Sequence, residues 1–155
     1  MLRRRRKPGP GADLRAMVLQ LDPRDIAPDG GRVRGVVMDT GLPDGGWYCL
    51  VALADGTTSL YTSAAFGVIG AGAHESVRSA SEALLRTAAT YVDQCTPSAD
   101  DALPGPGQVV IRLLAVDGRV ALTAAEEDLG DGRHPASPLF HAVHDVITQV
   151  RLVAS

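Results

Sequence analysis

Three groups of side chains in this sequence have the types and spacing for chemistry. His134, His141, His144 and Asp145 gather near the C-terminus. His141 and His144 stand three apart, so on one helix both would reach a metal ion if His134 folded back from the preceding loop. That spacing lacks the i,i+4 pair and the glutamate of a helical zinc motif. The expectation is therefore a turn histidine, a packed one and an exposed one, with no metal and no cofactor. The second group is Gly67-Val68-Ile69-Gly70-Ala71-Gly72, which runs into a helical pattern with His74 at its mouth. Unpaired N–H groups there would suit an anion, held by Gly70, Gly72 and His74. The string lacks the Gly-Lys-Ser/Thr end of a phosphate loop, and Glu75 already supplies negative charge to the same helix start. The plainer reading is a strand-to-helix link whose glycines permit close packing. The third group is Asp39-Thr40-Gly41 behind the apolar Val36-Val37-Met38. Gly-x-Ser-x-Gly is absent, and the paired acids at Asp100-Asp101 and Glu126-Glu127-Asp128 fit solvated loop or strand-end positions.

Asp39-Thr40-Gly41 resembles the signature of retroviral-type aspartic proteases. The resemblance implies a shared proton between two such aspartates, one from each subunit, that activates water. This chain departs from that family at Leu42, where Ser or Ala follows the triplet. Its Val68-Ile69-Gly70 also falls too early to leave room for a flap. The alternative is a strand end whose turn is shaped by Asp39 and Gly41. Asp39 and His74 thus stand as weak catalytic candidates, and enzymatic activity is not the favoured expectation.

These groups need elements to place them. Asp13 caps a short amphipathic stretch with Leu14, Met17, Val18 and Leu21, after a basic leader over residues 1–12 expected to be disordered. Val33–Thr40, Trp47–Ala54 and Thr57–Ser63 are β-prone, and Asp55-Gly56 is a strong hairpin signal. A helix follows from about His74 to Gln94, with Val77, Ser81, Leu84, Ala88 and Tyr91 on one stripe. Gln108–Val116 and Arg119–Ala125 form a second hairpin around Asp117-Gly118. A last helix opens with Ser137 as its cap and Pro138 as its first residue. The expected fold is α+β: residues 13–155 as one domain, with a five-stranded antiparallel sheet and both long helices on one face.

That arrangement should leave the sheet's other face polar, yet Trp47, Cys49, Val51 and Leu53 alternate with Tyr48, Leu50 and Ala52. Both faces are apolar there, and the strand from Gln108 is similar except for Arg112. Either the segment around Leu14–Leu21 roofs the second face, or that face or an open edge strand associates with another copy or a protein partner. A two-turn helix covers little of such a sheet, so Trp47, Cys49, Val51 and Leu53 are the expected interface. The element content is similar to small αβ scaffolds of the roadblock, longin and profilin kind, which implies dimeric or adaptor roles by fold analogy alone. The strings Gly35–Gly41, Val51–Tyr61 and Gly67–Gly72 are also similar to a group of bacterial proteins, a resemblance that implies no activity.

Charge narrows the partners. The net charge is −3, but Arg3, Arg4, Arg5, Arg6 and Lys7 sit in the leader, leaving 10 basic against 18 acidic groups in residues 8–155, a net of −8. Such a body repels nucleic acid. Contact of the basic tail with an anionic membrane or nucleic acid is the lesser reading, and a solvated tail the main one. Cys49 and Cys95, far apart and without a CxxC, suggest free thiols and a cytoplasmic setting. The expectation is a non-enzymatic binding or adaptor module that self-associates or takes a protein partner. The alternative is a small-molecule anion binder or enzyme built on the 67–72 loop.

Overall fold

The computed structural model describes residues 10–27, 31–64 and 67–154. The basic leader through residue 9 lies outside the described residues, as do residues 28–30 of the turn after the first helical segment.

The alternating runs become strands β1 (Val33–Gly41), β2 (Trp47–Leu53) and β3 (Thr58–Thr62), then β4 (Thr96–Pro97), β5 (Gln108–Ala115) and β6 (Gly118–Ala125). They form one antiparallel sheet in the order β3-β2-β1-β5-β6-β4. Among the described residues the sheet therefore has six strands rather than the expected five. The extra one, β4, is two residues long and follows the Val92–Gln94 3-10 turn at the close of the helical pattern. So short a strand has no period for a sequence to display. The tight turns fall where Asp-Gly demands them: Gly56 and Gly118 both take positive φ, and the Asp55 carboxylate accepts a hydrogen bond from the Thr57 N–H.

Among the described residues, four helices accompany the sheet: α1 (Pro10–Leu19), α2 (Glu75–Ala89), α3 (Glu126–Gly130) and α4 (Ser137–Ala154). α1 begins at Pro10, four residues before the start that an Asp13 cap would set, so residues 10–12 of the expected leader are helical; proline suits the first turn because it has no N–H to leave unpaired. α3 occupies acids that read as a strand end. α4 starts at Ser137 itself, whose hydroxyl accepts a hydrogen bond from the His134 N–H across the turn.

α2 and α4 share one face of the sheet. Val77, Leu84 and Ala88 of α2 join Leu139, Val143, Val146 and Val150 of α4 over Val36, Met38, Leu50, Ala52, Ile111 and Leu113. Burying aliphatic side chains on this scale, at roughly 1.5–3 kcal/mol each, is the main source of cohesion. The opposite face carries a second core. Val37, Cys49, Val51, Leu53, Tyr61 and Leu114 pack beneath Val18, Leu19 and Ile26, with Leu14 and Trp47 at the margin. The expected open apolar face is thus roofed by the chain's own first segment: Cys49, Val51 and Leu53 are buried, and Trp47 is half-buried. Among the described residues, no helix is long and apolar enough to cross a membrane.

Candidate functional site

Register places Asp39 on the roofed face. It pairs with Cys49 of β2 and Val110 of β5, while Val37 pairs with Arg112. A carboxylate amid apolar side chains must be matched, and Asp39 is matched twice. Arg15 of α1 donates from Nε to Oδ1 at 3.0 Å and from Nη2 to Oδ2 at 2.7 Å. Arg112 donates from Nη1 to the same Oδ2. Asp39 and Arg112 are almost wholly buried. Burial works against the Arg15 charge, but the hydrogen bonds and negative charge of Asp39 outweigh it and raise its pKa. Beside them the Cys49 thiol is pushed well up, first by burial and then by the Asp39 carboxylate. Cys49 is a neutral, inert thiol here.

The guanidiniums reach further. Arg15 also donates to the Asp101 carbonyl. Arg112 donates to the carbonyls of Asp100 and Ala102. Arg119 donates to the Ser98 and Leu19 carbonyls and pairs with the Asp101 carboxylate at 2.6 Å. Three arginines therefore pin the loop over residues 98–102, and α1 with it, across the sheet.

This arrangement is at odds with the protease resemblance. An aspartate held by two guanidiniums at zero exposure has no free lone pair aimed at water, and its role here is to hold the cover. Gly41 of the triplet is needed for a close approach: a Cβ there would run into the Gly105 carbonyl, and the Gly107 N–H donates to the Gly41 carbonyl.

The other candidates lie apart. Gly70 takes φ 76, and Gly72 sits so close to the Gly56 carbonyl that a side chain would collide with it. Gly70, Gly72 and Arg78 line an open hollow of about 490 Å³ beside β3, together with Asp55 and Thr58. Neither His74 nor Asp39 lines it. His74 ends the 3-10 turn before α2 and makes no side-chain cap. The histidines do not converge: His134 Nδ1 accepts from the Ala136 N–H, His141 is exposed, and the His144 ring rests 4.4 Å from that of Phe140. Among the described residues, no group of three or more His, Cys, Asp or Glu is placed to hold a metal.

The sheet edges differ. At β3, Leu60 exchanges hydrogen bonds with Val68 of the same chain, which blunts that edge. At β6, β4 pairs with Val120 and Ala121, and among the described residues no strand lies outward of Leu122–Ala125. The side chains there are half-buried or exposed. Hairpin signals do not set strand order, so the sequence does not show which edge is open. Nor does the sequence single out Arg15, although Arg112 inside the apolar run of β5 calls for a buried acid.

No protein-family model, curated protein or solved structure matches this chain.

Proposed function

We propose that this protein is a non-enzymatic binding module that assembles with a second copy through the free edge of β6. One observation carries the reading: Leu122–Ala125 is sheet backbone with no outward strand among the described residues, mostly apolar in sequence and partly exposed. Such an edge is a template for strand addition. Two copies pairing β6 to β6 about a two-fold axis would continue the sheet across the interface. The buried Asp39 cluster supports a scaffold role over catalysis, since it spends its charge on holding α1 and the 98–102 loop. The two unpaired thiols fit a cytoplasmic protein. Thr123→Lys tests the proposal. Thr123 is exposed, so the fold tolerates the change, while the added charges repel across a symmetric edge. Light scattering should show a dimer of the native chain and a monomer of the variant. Equal masses for the two would refute it.

A second reading draws on the hollow at Gly70, where Arg78 and an open glycine backbone suit a small anion. Saturable calorimetric binding of inorganic phosphate, lost in Arg78→Ala, would support it; no heat would remove it.

A further inference from the structure

α1 is ten residues long, below the roughly 12–15 at which an isolated helix becomes marginally stable. It depends on what it covers. Val18 and Leu19 are buried against the sheet, Arg15 grips Asp39, and Met17 on its far side is 66% exposed. Arg34 ties together described residues of the connection from α1 to β1, donating to the carbonyls of Ile26, Ala27 and Gly31. Within that connection Ala27 is held at φ 47, a left-handed backbone unfavourable for a residue with a Cβ. A small cover on a strained hinge thus closes a face made of Val37, Cys49, Val51, Leu53, Tyr61 and Leu114.

We infer that α1 is a detachable cover that two copies of this chain exchange. Released, α1 loses its reason to be helical, and the face beneath it is left with a carboxylate that has lost one guanidinium. The matching occupant is the same helix from a second copy, its Leu14, Val18 and Leu19 filling the same apolar sites and its Arg15 gripping the other copy's Asp39. Stretched out, the chain between Leu19 and Val33 spans up to about 45 Å, enough to cross to a neighbouring molecule. Exchange keeps every contact of α1 and relaxes the hinge, so it is favoured by concentration and by loosening of the Arg34 clasp. The exchange uses the roofed face, not the β6 edge, and stands or falls apart from edge pairing.

The test uses the full chain carrying Cys95→Ala and Thr123→Lys, so that Cys49 is the sole thiol and edge pairing is blocked. Cys49 should react with Ellman's reagent at a rate nearly independent of low urea, and Arg34→Ala should raise that rate roughly tenfold. Two differently tagged versions, concentrated together far above the micromolar range in which Thr123→Lys is a monomer and then diluted, should yield a mixed dimer that dissociates slowly. Without the Arg34 change, the mixed dimer should still grow with concentration, which keeps the test valid if Arg34→Ala fails to fold. Reaction of Cys49 that follows the urea dependence of whole-chain unfolding, or the absence of mixed dimer at every concentration, would overturn the inference.

Discussion

Replacing Asp39 with asparagine keeps the volume and removes the carboxylate that Arg15 and Arg112 share. Arg112 is about 1% exposed and cannot turn to water, so Asp39→Asn leaves a buried guanidinium with only carbonyl partners. Breaking a buried ion pair from one side typically costs about 3–5 kcal/mol, against a total stability of roughly 5–15 kcal/mol for a domain. At about 2–4 °C per kcal/mol for a chain of this size, Tm should fall by roughly 6–20 °C. Arg15→Met should cost less, about 1–3 kcal/mol, because Arg112 still neutralises Asp39. The single tryptophan, Trp47, borders the roofed core and reports unfolding in urea directly. The double variant should lose less than the sum of the two single losses, by about 1 kcal/mol or more. A cost for Asp39→Asn below about 1 kcal/mol, or simple additivity, would refute the view that this cluster fastens the cover.

Gly41→Ala should destabilise the chain by about 2–4 kcal/mol in urea titration, because the new methyl meets the Gly105 backbone rather than a movable side chain. His144 gives a pH signature. Burial first, then the positive charges of His141 and Arg151, hold its imidazole below the ordinary value of 6.5, while Asp145 opposes them. The unfolded chain therefore binds the proton first as pH falls. This contribution to stability is complete above about pH 6.5 and declines below it until the folded imidazole is also protonated. His144→Leu should flatten that part of a stability profile measured from pH 7.5 to 5; an unchanged slope would exclude His144 as its source.

The hairpins and long helices were legible because their signals are local: Asp-Gly turns, period-two runs, and the Val77–Leu84–Ala88 stripe all act within a few residues. The two additions, β4 and α3, span two and five residues, too short for periodicity to register. The roof was misjudged for a different reason. A two-turn helix alone is too small, but Ile26 joins it on the apolar face, and the 98–102 loop is drawn in beside it by Arg15, Arg112 and Arg119. Those contacts join residues far apart in the chain, and no window of sequence contains both ends. Arg112 amid Val109, Ile111, Leu113 and Leu114 was the visible clue. Asp39, inside another apolar run, was its natural partner. The free β6 edge depends on strand order, which hairpin signals leave open.

Sedimentation velocity of the native chain beside Thr123→Lys, across micromolar concentrations, tests assembly through β6 most directly. A concentration-dependent dimer that the lysine abolishes, with unchanged unfolding in urea, is the predicted result. A native chain that sediments as a monomer throughout, or a dimer indifferent to Lys at position 123, would contradict it.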